Sequence, residues 1–138
     1  MPPVTRQKRQ KCRGAAAVEF AMAATILFLF VFAIFEFGRA FMVIDLLADA
    51  ARVGCREGAI QGKAASSITA DVQNQLQGEG VDGVTVTVEV NFIVADSSTA
   101  QSGDTITVAV SVPVSSITWT GTSFLSGNLS GQSTLAKQ

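Results

Sequence analysis

The chain has 138 residues, room for one small domain and one anchoring segment. Its formal net charge of −1 conceals two opposed pieces. Residues 1–14 hold five bases (Arg6, Lys8, Arg9, Lys11 and Arg13) and no acid, whereas the rest holds five bases and eleven acids, a charge of −6. Histidine and tyrosine are absent, which excludes Ser-His and Cys-His catalysis and any histidine-ligated metal; no enzyme, cofactor or small-molecule substrate is expected.

A basic arm can bind nucleic acid. This one abuts an apolar run, so it reads as a positive-inside topology signal and no nucleic-acid partner is expected. The run, Ala15 to Phe37, is AAAVEFAMAATILFLFVFAIFEF. At about 1.5 Å per residue it makes a helix of about 35 Å, enough to cross a bilayer core of about 30 Å with some tilt. Phe28, Phe30, Phe32 and Phe35 add apolar area without favouring one face, as lipid on most sides requires. The leader then stays cytoplasmic and everything beyond Phe37 is extracytoplasmic. A cleaved secretory signal is the rival, but Gly38-Arg39-Ala40 is a poor cleavage site and the helical pattern runs through it. Cys12 and Cys55 would fall on opposite sides of the membrane, so no internal disulfide is expected. Both read as plain thiols, with a Cys55 bridge between two chains as the lesser alternative.

Glu19 is the anomaly of this run. A charge at a helix centre costs about 2.5–3.5 kcal/mol on insertion scales, and less near an end. A carboxylate near the interface is therefore tolerable, but tolerance gives it no purpose. A cut between Gly14 and Ala15 would supply one: the new ammonium would lie four residues from Glu19. Glu19 of one chain could then pair with the Ala15 ammonium of its neighbour, offsetting part of the desolvation cost.

Beyond the span the helical pattern continues to about Ala59. Ala40, Val43, Ile44, Leu47, Ala50, Ala51 and Gly54 recur on one face, while Asp45, Asp49, Arg52 and Arg56 fall opposite. Glu36 and Arg39 can pair at the outer interface, as can Asp49 and Arg52. The charged stripe is read as a solvated face, with an intersubunit contact as the alternative. The small apolar face can pack against either the chain's own sheet or a neighbouring helix. Gly58 and Gly62 are expected to end this helix. A short helix is predicted over Ser67 to Gln77, from Ile68, Val72 and Leu76 and with Ser67 as its cap. Gly78, Gly80 and Gly83 break the chain.

Two strands follow with strict period two: VTVTVEVNF, with Val84, Val86, Val88, Val90 and Phe92 inward, and ITVAVSVPV, with Ile106, Val108, Val110, Val112 and Val114 inward. The loop Ala95 to Asp104 joins them as an antiparallel hairpin, and Pro113 marks an edge or a strand end. Two strands are marginal alone, so a third is expected near Asn128 to Ala136. Trp119, Phe124 and Leu125 are assigned to core or interface. Asp96 and Asp104 flank a Ser/Thr-rich loop, but two carboxylates eight residues apart favour a solvated turn over a calcium site. The fold class is α+β: a long N-terminal transmembrane helix continuing into an amphipathic helix, then a short helix and a small antiparallel sheet.

The residues RGAAAVEF, Arg13 to Phe20, resemble the cleavage region of type IV pilin-like precursors: basic leader, glycine, then a mature segment with glutamate fifth. Glu36-Phe37-Gly38-Arg39 resembles the EFGR that closes the span in TadE-like proteins. Ala50 to Gly58, AARVGCREG, resembles their AAREGAR segment. Ser111 to Trp119 and Phe124 to Gln138 are similar to that family's ending. Thr25 stands where members often carry proline, and Val53 and Cys55 stand where Glu and Ala are commoner. The resemblance implies a bacterial pseudopilin or minor pilin of the tight-adherence (Tad) pilus, with Gly14 and Ala15 as the processing site of a prepilin peptidase and Glu19 and Phe20 in assembly. Glu36, Arg39, Asp49, Arg52 and Arg56 are weaker partner-contact candidates. It also implies as partners the membrane, other pilin-like subunits and the pilus assembly platform, with the chain a single-pass protein of the inner membrane. The domain division is 1–14 leader, 15–37 span, 38–62 helical extension and 63–138 head. A permanently anchored, unprocessed extracytoplasmic binding domain is the alternative.

Overall fold

The computed structural model of the chain describes residues 13–117 and 126–138. Cys12 and the leader bases before it, like Trp119, Phe124 and Leu125, lie outside the described residues. The chain divides into two compact units, one ending at Phe35 and the other spanning Glu36–Gln138.

Helix α1, Arg13–Arg56, contributes to both units. Its first part, Glu19 apart, is apolar all round from Ala15 to Phe35. Its most apolar window has a mean hydropathy of 2.4, and by length and composition this helix can cross a membrane. Thr25, in the place of the proline, donates its hydroxyl to the Ala21 carbonyl at 2.9 Å, and the helix runs through it without a break.

Within the second unit α1 changes character. Ala40, Val43, Leu47, Ala50, Ala51, Gly54 and Cys55 are buried and Ile44 is half-buried, while Asp45, Asp49, Arg52 and Arg56 face solvent. The chain's own sheet and second helix cover the small face. A π turn, Glu57–Gln61, extends α1 to Gly62, whose left-handed φ of 63° ends it. Gly58 does not end the helix, contrary to expectation. It lies inside the π turn, and a Cβ there would come within 3.2–3.4 Å of Ile68, Ile106 and Ser97, so its role is close packing.

Helix α2, Ala65–Gly78, buries Ile68, Val72 and Leu76. It begins ahead of Ser67, and Ser67 does not cap it. The capping position is Ala64, which has no side-chain acceptor, and the Asp96 carboxylate instead accepts the Ala65 N–H at 2.9 Å. Sequence-local rules miss a cap supplied from 31 residues away.

The sheet is antiparallel with order β2-β1-β3-β4, formed by β1 (Thr85–Val90), β2 (Ile93–Val94), β3 (Thr105–Pro113) and β4 (Asn128–Ala136). Register aligns the inward residues: Val86 with Val110, Val88 with Val108, Val90 with Ile106, and on the other side Val110 with Gly131 and Val112 with Leu129. Ile106, Val108, Val110 and Val112 are fully buried under the helices, each stabilising the fold by about 1.5–3 kcal/mol relative to exposure. The opposite face carries Thr85, Thr87, Thr107 and Ser111, and the Thr107 and Thr134 hydroxyls bond at 3.0 Å. Pro113 closes β3, and Val114 lies in a 3₁₀ turn rather than the strand, still buried. Phe92 breaks the predicted alternation: it is exposed on a turn.

Gly131 is where α1 meets β4. A Cβ at this position would fall 2.5 Å from the Ala48 nitrogen and 2.6 Å from the Leu47 carbonyl carbon, so only glycine admits the helix backbone.

Candidate functional site

The residues singled out for processing and assembly sit on the first turns of α1. Gly14, Ala15, Glu19 and Phe20 are all helical and exposed. Among the described residues, none outside the local helix lies within 4 Å of a Cβ built at Gly14. Glycine lowers the cost of opening a helical turn by about 1 kcal/mol relative to alanine. Glu19 lies one turn beyond Ala15, on the same helix face.

The weaker candidates belong to the second unit. Glu36 and Arg39 are half-buried and neither lacks a partner. Asp49 accepts from Arg52 at 2.7 Å, with both side chains about two-thirds exposed, and Arg56 is exposed one turn on. The structure therefore brings Asp49 and Arg52 together as one surface pair.

Residues 14–56 match the TadE-like protein family. The match opens at Gly14 and runs through α1, so it includes Glu19, Glu36, Arg39, Asp49, Arg52 and Arg56. Comparisons with curated proteins and with solved structures gave no match. The apolar helix fits a single-pass membrane protein.

Other polar residues in the second unit serve the fold. Asp96 accepts N–H bonds from Ser98 at 3.0 Å and Ala65 at 2.9 Å, which hold its carboxyl below the usual range. Asp104 is likewise lowered by the Gln101 N–H at 2.7 Å and the Asn91 amide at 2.9 Å. Lys63 reaches Asp71 at 3.0 Å and Glu57 at 3.1 Å, and these acids raise its pKa. Ser97, fully buried, donates to the Lys63 carbonyl at 2.6 Å. Cys55 is buried, with its thiol 3.2 Å from the Ile106 carbonyl and its pKa pushed up by burial, so it is placed as a core thiol and not for bridging chains. The Asp96–Ala65 and Ser97–Lys63 bonds were hidden from a reading of local spacing because each joins segments more than 30 residues apart.

Proposed function

We propose that the chain is a pseudopilin or minor pilin, cleaved after Gly14 by a prepilin peptidase and used in assembling an adhesive Tad-type pilus. It resides in the bacterial inner membrane with its leader cytoplasmic and its head extracytoplasmic. The observation that carries this reading is the TadE-like match opening at Gly14, with a carboxylate five positions later inside an otherwise apolar helix. Cleavage removes the five leader bases and frees an ammonium at Ala15. Packing then does the work: the apolar helix leaves lipid for a bundle of subunits, and Glu19 sets register by meeting the Ala15 ammonium of a neighbour.

Mass spectrometry of the membrane-fraction protein is the test, with an N-terminus at Ala15 expected. Gly14→Leu is expected to abolish cleavage while leaving insertion intact. Glu19→Ala is expected to preserve both cleavage and insertion and to lower the yield of assembled subunits. A chain still starting at Met1 in cells that hold the peptidase would return the reading to a permanently anchored extracytoplasmic domain.

A further inference from the structure

In the first two turns of the second unit, α1 carries its charges and its bulk on opposite sides. Glu36, Arg39, Ala40 and Val43 recur at three- and four-residue steps and share one face. Ala40 and Val43 are buried, Glu36 and Arg39 are half-buried, and the Arg39 Nε is sealed from the surface. Neither charged side chain lacks a partner. On the other side Phe41 and Met42 are 65% and 61% exposed. Ile34 and Phe35 stand seven residues before them on the same helix face, at 70% and 73%. The exposed face of α1 therefore stays uncharged beyond Phe35, and after Glu19 its next charged residue is Asp45.

Length decides how this face is used. From Phe20 to Phe35 the helix covers about 24 Å at about 1.5 Å per residue, short of a hydrocarbon core of about 30 Å. Two windows make up the deficit. One reaches back to Ala15 and ends at Phe37, which turns the exposed Glu19 carboxylate into lipid. The other runs from Phe20 to Met42, about 35 Å, and meets no charge on its exposed face, because Glu36 and Arg39 are turned to the buried side. The first window also leaves Phe41 and Met42 in water, and the second removes them from it.

We propose that the lipid-facing surface of α1 runs from Phe20 to Met42: outer-leaflet lipid chains cover Phe37, Phe41 and Met42, and Glu19 rests in the cytoplasmic headgroup layer. The partner of this face is the bilayer itself. Phe41 and Met42 follow the apolar run on the same helix, within two turns of Phe35, so no docking step is needed to bring lipid to them. Glu36 and Arg39 then lie at membrane depth on the covered side of the helix, and Asp45 and Asp49 are the first exposed acids to meet headgroups and water. The Gly14–Ala15 bond stays outside the hydrocarbon. This seating depends on α1 spanning the membrane and not on cleavage at Gly14, so it can fail while the proposed function stands.

Fluorescence quenching in phosphatidylcholine vesicles tests it. The full, uncleaved chain with Cys12→Ser carries one added cysteine bearing an environment-sensitive dye, Cys55 being buried. Labels at Phe41→Cys and Met42→Cys are expected to be quenched by doxyl-labelled lipid as strongly as one at Phe30→Cys. Iodide on both sides of the bilayer is expected to quench them several-fold less than a label at Asp49→Cys. A label at Ala17→Cys is expected to match Asp49→Cys. All these positions are exposed, so the substitutions leave the core intact and the melting transition of the second unit is expected to hold. Iodide quenching at Phe41→Cys and Met42→Cys equal to that at Asp49→Cys, or an Ala17→Cys label shielded like Phe30→Cys, would overturn the proposal. Shielding from iodide without quenching by lipid would overturn it too, because protein and not lipid would then cover the face.

Discussion

One helix, α1, supplies two opposite solutions to the burial of apolar groups. Up to Phe35 it carries large side chains on every face, and Phe20, Phe28 and Phe30 are at least 60% exposed. From Ala40 onward its buried stripe is small, with Ala40, Ala50, Ala51, Gly54 and Cys55 around Val43 and Leu47. The difference is the medium each part suits. Lipid tolerates bulk in all directions. A sheet packed at close range tolerates only what fits between backbones, and at Gly131 that is no side chain at all. Identical secondary structure therefore carries different rules for substitution.

The strongest way to break this contrast is Gly131→Val. Its side chain must displace the Leu47–Ala48 backbone, and we expect a loss of about 4 kcal/mol, read by denaturant titration of the detergent-solubilised chain. An unaltered midpoint would show that α1 and β4 do not meet as described. Next comes a paired comparison. Leu47→Ala, at a fully buried site, is expected to cost about 3 kcal/mol in that assay, whereas Phe30→Ala in the apolar part should move the same transition by less than about 0.5 kcal/mol. Equal effects would erase the distinction between the two parts.

A smaller effect is expected from acid. Hydrogen bonds hold the Asp96 and Asp104 carboxyls below the ordinary aspartate value of about 3.9, so each adds stability that is complete above about pH 4 and lost as pH falls through the lower folded value. Asp96→Ala should lower the melting temperature at neutral pH and shrink its fall between neutral and strongly acidic buffer. A parallel shift at every pH would remove the carboxylate from the account. The smallest effect belongs to Arg52→Ala, which breaks an exposed pair one turn long and should cost no more than about 0.5 kcal/mol. A larger loss, or a loss of partner recovery at unchanged stability, would favour the intersubunit reading of the charged stripe.

Much of this was legible in the order of residues. The apolar run, its basic leader and its isolated glutamate stand out from composition alone. Alternation gave the inward faces of β1 and β3, because a period of two leaves little choice of side once one face is buried. The span 128–136 proposed for a third strand coincides with β4. Alternation misled at Phe92, since parity says nothing about where a ladder turns. Ser67 misled for a related reason: a cap needs an acceptor near the first turn, and Asp96 is close in space though remote along the chain.

Sequence by itself determined which segments prefer lipid, which prefer a helix and which a strand, since those preferences arise from side-chain chemistry and its period along the backbone. Only the tertiary structure decided that Gly54, Gly58 and Gly131 are contact points, that Cys55 is sealed in the core, and that Phe92 is held in solvent. Those outcomes depend on which distant backbones come within a few ångströms of each other, and no local pattern encodes that distance.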